Sequence, residues 1–187
     1  MAHLERKFSD ELSRHRRTTL MSRRIVYLTG IIDEQIAHGF IADLKELENA
    51  DLNSPITVMV DSYGGSVYSG NAMVAAIENC KNVVNTVCFG KAMSSGFHVF
   101  MAGKERHASR WANLLAHSAN LTVSQMKTSD LKNYVGNLDD WYAMIAEYYA
   151  SKTKMSREEW QAIFKGGIDR FFTGKQALKL GIITKIV

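Results

Sequence analysis

Three side chains in this sequence have the types that a nucleophilic hydrolase needs: Ser94, His117 and Asp169. A serine hydroxyl becomes a nucleophile when a base accepts its proton and an acid orients that base. Ser94 follows a β-rich run and precedes a predicted helix, where a hydroxyl is exposed and the helix dipole favours negative charge. A serine at such a position can equally be a helix cap, so this residue alone leaves both roles open.

Other histidines and acids compete for the roles of base and orienting acid. His98 lies on the helix predicted to follow the serine, and its spacing directs the side chain into the core. His107 lies in the charged stretch KERH and is expected to be solvated. Asp139 and Asp140 adjoin the apolar stripe of a long helix and are expected on its wet face. His117, at the end of a short predicted strand, therefore remains the candidate base. Asp169, in a glycine-containing loop, remains the candidate orienting acid.

A second turn, Gly64-Gly65-Ser66, also leads from a β-rich run into a predicted helix. Backbone N–H groups at such a helix start stabilise anions, which makes the turn a candidate phosphate site or oxyanion hole. The spacing of neither a P-loop nor a GxGxxG motif is present. A glycine pair in a tight turn is also compatible with a purely geometric role.

Short β-rich runs alternate with helical segments along the chain, which predicts an α/β domain with largely parallel strands. Strands are predicted at 24–29, 56–60, 83–89 and 113–116, with a last extended segment at 182–187. Helices are predicted at 33–49, at 66–79 and from the Ser94 turn to 101. Capping boxes at Ser156 with Glu159 and at Thr173 with Gln176 predict two further helices.

The segment 123–152 is predicted to be one long helix. Its apolar residues recur with alternating spacings of three and four: Leu131, Tyr134, Leu138, Trp141, Ile145 and Tyr148. Thirty helical residues span about 45 Å, which is longer than a small domain needs. We therefore expect part of the apolar stripe to project and to require a partner, the alternative being a helix that lies across the domain.

Composition and charge exclude several classes of protein. The 187 residues, 46% of them hydrophobic, are enough for one core without disulfide or metal staples. No apolar run approaches the roughly 18 to 20 residues of a membrane-spanning helix, and the N-terminus lacks a secretory signal. We therefore predict a cytoplasmic protein that does not bind membranes. Cys80 and Cys88 lie in neither a CxxC motif nor a Cys/His cluster, which favours reduced, buried thiols over a metal site.

The net charge of +4 is confined to the N-terminal arm. Residues 1–24 contain seven basic and three acidic side chains, and seven minus three accounts for the whole excess. Between Arg14 and Arg24 there is no Phe, Tyr or Trp side chain for base stacking. We therefore predict a solvated basic arm over residues 1–23, a single domain over 24–187, and no specific nucleic-acid surface.

The motifs around the candidate residues resemble those of the ClpP family, the proteolytic subunits of the Clp protease. Five motifs over residues 24–187 carry the resemblance, in the same order: RIVYLTGIIDEQ, DSYGGSVYSGNAM, GKAMSSGF, LLAHS and IDRFFTGKQALKLGII. The resemblance implies a ClpP/crotonase-type fold with Ser94 as nucleophile, His117 as general base and Asp169 as orienting acid. It also implies an oxyanion hole made by the N–H groups of Gly65 and Ser95, beside a strand edge that pairs with an extended peptide.

The resemblance further implies an assembly. The long helix is similar to the family's handle, through which two seven-membered rings stack into a tetradecamer. The implied substrates are unfolded polypeptides, delivered by an AAA+ unfoldase that uses the ATP, so that this chain itself is expected to need no cofactor and no metal.

Several positions depart from the family's pattern. Tyr63 replaces the usual proline at the substrate cleft, and Ile168 stands where many members carry an arginine that links ring contact to triad alignment. The positions of the family's unfoldase-docking pocket hold Thr57, Met59, His107 and Ser109, which predicts a partly polar pocket. These departures leave open a non-catalytic or regulatory subunit that assembles with an active paralogue. The fold relationship to crotonases leaves open an acyl-CoA enzyme.

Overall fold

The computed structural model describes residues 15–120 and 127–187, and these form a mixed α/β fold. The strands are β1 Ile25–Ile32, β2 Ile56–Gly65, β3 Val84–Cys88, β4 Lys91–Met93, β5 Arg106–Ala108, β6 Asn113–Ala116, β7 Arg170–Thr173 and β8 Lys185–Ile186. The helices are α1 at 15–22, α2 Glu34–Ala50, α3 Val67–Glu78, α4 Ser95–Ala102, α5 Thr128–Lys152, α6 Arg157–Lys165 and α7 Gly174–Leu180. None of these helices has the length and apolar character needed to cross a lipid bilayer.

The strands form one curled sheet in the order β7-β6-β4-β2-β3-β5-β8, with β1 also paired to β2. All neighbouring strands run parallel except β6 and β7, which are antiparallel. The ten-residue β2 is long enough to pair with β3 over Ile56–Met59 and with β4 at Ser62. The predicted α/β fold with largely parallel strands is therefore confirmed.

Helix α4 lies at the centre of the core. All eight of its residues are buried, because parallel sheets are covered on both faces. The Phe97 ring stacks on Phe172 with a centroid distance of 6.2 Å and meets Tyr149 edge to face at 5.5 Å. Trp160 packs on the same group, 4.9 Å from Tyr149. These contacts with α5, α6 and β7 fix α4 and therefore the serine that precedes it.

Three local predictions were wrong. The strand predicted at 56–60 is longer than expected, because β2 continues to Gly65, into the predicted glycine turn. The three-residue strands β4 and β5 were missed, because they are too short to show an alternating pattern. His107 lies half-buried in β5 rather than in solvent, since this strand is paired on both sides, with β3 and β8.

Buried Arg106 joins the C-terminal ends of three helices. Its guanidinium donates to the carbonyl of Lys152 at the end of α5 (2.8 Å) and to that of Gly103 after α4 (3.1 Å). It also donates to the carbonyls of Gly181 and Ile182 after α7, at 3.0 and 2.8 Å. Helix C-termini leave carbonyls without partners and carry partial negative charge, so one buried cation satisfies all three ends.

The predicted long helix is present as α5 but begins at Thr128; residues 123–126 of the prediction lie outside the described residues. Its C-terminal half is anchored by buried Tyr142, Ile145 and Tyr149. Its N-terminal half is largely exposed, with Val135 44% accessible. The requirement for a partner on this half stays a prediction.

The described part of the predicted arm is helical rather than fully solvated. Within α1, Arg17 forms an ion pair with Asp43 of α2, and Met21 packs against the core. Residues 1–14 of the arm lie outside the described residues. The division of the chain at residue 23 stays a prediction.

Candidate active site

Ser94 occupies a strained turn between β4 and α4. Its φ of 54° and ψ of −126° are unusual for a residue with a side chain and cost of order 1–3 kcal/mol. The turn is held on both sides, because the Ser94 N–H donates to the Leu115 carbonyl (3.0 Å) and the His98 N–H donates to the Ser94 carbonyl (3.0 Å). The Ser94 hydroxyl makes no capping hydrogen bond, so the alternative role as a helix cap is not realised.

The pairing of β6 with β7 brings His117 and Asp169 together. Ala116 lies opposite Arg170 in this antiparallel pair. His117, which follows β6, and Asp169, which precedes β7, therefore face each other. Nδ1 of His117 lies 3.5 Å from Oδ1 of Asp169, slightly beyond hydrogen-bonding distance. The histidine side chain is 15% accessible and the carboxylate 58%, so the acid is open to water in the isolated chain.

Ser94 and His117 line the same small pocket, of about 30 Å³. This volume holds one or two water molecules. No hydrogen bond joins the serine hydroxyl to the histidine within the described residues, and such bonds often tighten only when substrate binds. The three predicted triad residues thus lie at the ends of β4, β6 and β7, which are consecutive strands of the sheet.

The glycine pair at the end of β2 lies directly against this turn. A Cβ on Gly64, whose φ is +94°, would lie 2.6 Å from the Ser94 Cβ and 2.9 Å from the Ser95 nitrogen. The carbonyl of Gly65 accepts the Ser95 hydroxyl at 2.9 Å. Because the Ser95 N–H is the first of helix α4, it has no partner within the helix. The predicted oxyanion donors, Gly65 and Ser95, are therefore neighbours beside the serine, and their role stays a prediction.

Ser62 fixes the backbone of the glycine pair. Its hydroxyl donates to the Gly30 carbonyl (2.6 Å) and accepts the Gly64 N–H (3.0 Å). A Cβ on Gly96 would lie 3.1 Å from the Ser62 Cβ, so α4 packs tightly on the same residue. The sequence analysis did not identify Ser62, although a small polar residue two positions before a glycine pair is a recognisable signal.

The far wall of the pocket is aromatic. It includes Trp141, Tyr149 and Phe164, together with His98. As predicted, His98 points into the core, and its Nδ1 lies 3.0 Å from the Tyr149 hydroxyl. Burial lowers the pKa of His98 to about 4, so this imidazole is neutral at pH 7. The predicted exposure of Asp139 and Asp140 is confirmed.

Two of the departures from the family's pattern lie on the surface close to the site. Ile168, which directly precedes Asp169, is 68% accessible. Tyr63 is 65% accessible, and the Lys91 ammonium lies 4.5 Å above its ring. Lys91 also pairs with Asp61 at 3.1 Å.

A separate pocket opens on the other side of β2. It is lined by Tyr27 of β1, by Met59 and Asp61 of β2, by Val87 of β3 and by Phe89, which follows β3. Tyr27 and Phe89 are about half accessible. Of the residues predicted to make this region polar, Thr57 and His107 are half-buried and Ser109 is buried. Asp61 adds a charged group to the pocket, and the predicted polar contribution of Thr57, His107 and Ser109 to docking stays a prediction.

Comparison with known proteins identifies similar sequences over most of the chain. A family model described as Clp protease matches residues 9–187. One similar protein is an ATP-dependent Clp protease proteolytic subunit from Borreliella afzelii (strain PKo). It is 28% identical over 170 residues, which cover 90% of this chain and 85% of that protein.

Proposed function

This chain belongs to the Clp protease family, and from that premise we propose that it is a serine endopeptidase with Ser94 as nucleophile, His117 as general base and Asp169 as orienting acid. The observation that carries the proposal is the delivery of these three residues by consecutive strands, with the serine in a strained turn and no capping role. Strain of this kind persists where surrounding structure enforces it, which is common at active sites.

In the proposed mechanism, the Ser94 hydroxyl attacks the carbonyl carbon of a peptide while His117 takes its proton. The N–H groups of Gly65 and Ser95 hold the oxyanion of the tetrahedral intermediate. The intermediate collapses as His117 returns the proton to the leaving amine, so that an acyl-enzyme remains. Water, activated by the same histidine, then releases the second product. These steps use only side chains and backbone groups of this chain, so hydrolysis itself needs no cofactor.

Assembly is part of the proposal. The exposed N-terminal half of α5 and exposed Ile168 provide apolar surface for other copies, and we place them within a tetradecamer of two stacked heptamers. Contact there would remove water from around Asp169 and shorten its pairing with His117. The pocket beside Met59 is the proposed docking site for an AAA+ unfoldase, which spends ATP to supply unfolded polypeptides. The proposed location is the cytoplasm.

A fluorophosphonate probe with peptide mapping tests the catalytic part. The assembled protein should be labelled on Ser94, and Ser94→Ala should abolish the label. Ser95→Ala tests the neighbouring serine: it keeps the backbone N–H and removes the hydroxyl that bonds the Gly65 carbonyl, so Ser94 should still be labelled, if more slowly. Labelling of Ser95, or of neither serine in the assembled protein, would show that the assignment is wrong.

One observation favours a second candidate, a regulatory subunit that assembles with an active paralogue. The pairing of His117 with Asp169 is loose at 3.5 Å, and Ile168 brings no charge to tighten it. Such a subunit would enter mixed rings with another proteolytic subunit and would cleave no short peptide alone. Peptide turnover by rings of this chain only would exclude that role.

A further inference from the structure

The small pocket beside Ser94 is the space into which a bound peptide would place its nearest side chain. In the proposed mechanism the attacked carbonyl carbon lies at the Ser94 hydroxyl, and its oxygen faces the N–H groups of Gly65 and Ser95. The residue with this carbonyl is on the acyl side of the scissile bond, and its Cα is bonded to the attacked carbon. Because Ser94, Ser95 and His117 all line the small pocket, the side chain on that Cα enters it.

The volume of the small pocket sets the length of side chain that fits. It measures about 30 Å³, which is room for one or two water molecules. The methyl group of alanine and the hydroxymethyl group of serine are of this size. The branched chain of leucine and the ring of phenylalanine are larger, so they fit only if the surrounding side chains move.

The aromatic core holds part of the pocket wall in place. Phe97 and Tyr149 line the pocket, their rings meet edge to face at 5.5 Å, and both pack on Trp160. The Tyr149 hydroxyl also lies 3.0 Å from Nδ1 of His98, another lining residue. Protein cores are packed as densely as organic crystals, and extra methylene groups forced into them displace side chains and backbone. This part of the wall therefore resists enlargement.

Helix α5 supplies two further side chains of the wall, Trp141 and Ile145, about one helical turn apart. Trp141 is only partly buried, and its ring lies 6.1 Å from that of His98. Ile145 is 3% accessible, and it also lines a groove of about 330 Å³ between α3 and α5. The indole therefore occupies space that a longer substrate side chain would need. Ile145, together with His98, separates the small pocket from the larger groove.

We propose that the small pocket restricts the acyl side of the scissile bond to residues with short side chains, namely alanine or serine. Trp141 and Ile145 are the specificity-determining residues, because they fill the space that a longer side chain would occupy and close the way into the groove. This inference rests on the proposed peptidase function and adds its substrate class.

Blocked tripeptides with an aminomethylcoumarin leaving group test the proposal in the assembled enzyme. They differ only in the last residue, which is alanine, serine, leucine or phenylalanine. We expect kcat/KM to be at least about tenfold higher for alanine and serine than for leucine and phenylalanine, because one misfitting methylene in a pocket already changes selectivity by about that factor. A smaller difference, or faster cleavage after leucine or phenylalanine, would overturn the proposal.

Two variants test the residues that limit the pocket. Trp141→Ala removes the indole, and Ile145→Ala shortens the wall toward the groove. Each should lower the alanine-to-leucine ratio about tenfold, chiefly through faster cleavage after leucine. Leu44→Ala is the matched control, because it truncates a buried side chain of α2 that lines neither cavity and should leave the ratio unchanged.

An unchanged ratio in both pocket variants, or an equal change in Leu44→Ala, would overturn the assignment of these residues. The profile of the unaltered enzyme decides the proposal even where a variant does not fold. If Ser94 reacts with a fluorophosphonate but the profile is wrong, only this inference fails. If Ser94 does not react and no peptide is cleaved, the peptidase assignment fails with it.

Discussion

The close approach of Gly64 to Ser94 gives a sharp test of the site's construction. Alanine at this position would keep φ near +94° only against a steric penalty of about 1–2 kcal/mol. Its Cβ would also overlap the Ser94 Cβ and the Met93 carbonyl, both at 2.6 Å. Overpacking of this kind adds about 1–3 kcal/mol, and backbone atoms cannot turn aside as a flexible side chain would. Gly64→Ala is therefore expected to lower the free energy of unfolding by about 2–5 kcal/mol.

The chain can relieve this overlap only by moving the end of β2 away from the serine turn. A displacement of about 1 Å at a catalytic group can reduce rates about a hundredfold. We expect fluorophosphonate labelling of Ser94 to slow by that factor in Gly64→Ala. The assay compares labelling rates with free energies of unfolding from urea denaturation of the same samples.

Two variants separate local displacement from general destabilisation. Leu44→Ala truncates a fully buried residue of α2 and should cost a similar 2–5 kcal/mol while Ser94 labels normally. Gly39→Ala, on the exposed face of α2 with open space around it, should raise stability by up to about 1 kcal/mol. If Ser94 in Gly64→Ala were labelled at the wild-type rate, the packing argument would be refuted. If labelling were slowed equally in Leu44→Ala, the slowing would reflect general destabilisation and not a local displacement of the Ser94 turn.

Three further predictions concern the acid, a buried histidine and a buried arginine. Asp169→Asn should slow peptide turnover about a hundredfold to ten-thousandfold with an unchanged melting temperature, because this carboxylate is 58% accessible; a comparable loss of stability would contradict its orienting role. His98 has a pKa lowered from 6.5 to about 4 by burial, so the unfolded chain binds a proton between these pH values that the native chain does not. The free energy of unfolding should therefore be flat above pH 6.5 and fall by about 3 kcal/mol toward pH 4. Chemical denaturation across this range should show a smaller slope in His98→Phe and the full slope in His38→Gln, which alters an exposed histidine of α2. Arg106→Met should lower the free energy of unfolding by about 3 kcal/mol or more by leaving the carbonyls of three helix ends unpaired, whereas a loss under 1 kcal/mol in urea denaturation would show that they find other donors.

Elements with local signals were predictable from sequence. Both capping boxes are present, with Ser156 bonded to Glu159 and Thr173 to Gln176. The stop at Gly181 is a left-handed residue with φ of 74°, a conformation that glycine adopts freely. These features depend on residues a few positions apart, so the local sequence is enough to predict where these helices begin and end.

Elements fixed by distant partners were not predictable. The edges of β4 are filled by β2 and β6, so Lys91–Met93 is a strand although its residues show no alternation. Strand β5 was not recognised because it contains a charged residue, Arg106. The charge is buried there because the guanidinium bonds to carbonyls that are distant in sequence, such as that of Lys152. The sequence likewise suggested His117 and Asp169 as partners, through elimination of the other candidates and through motif resemblance. Their placement opposite each other, however, follows from the register of β6 with β7.

The unequal anchoring of α5 makes this helix a lever. Lys152 at its end is held by Arg106, and the half that begins at Thr128 extends about 20 Å beyond Tyr142. A tilt of 5° about that point displaces the far end by roughly 2 Å, by simple geometry on that length. The Tyr142 hydroxyl accepts the N–H of Ala119, two residues after His117, so the pivot of the helix is bonded to the segment that follows β6. A small rotation imposed at the distant end is thus reduced, rather than amplified, by the time it reaches the histidine.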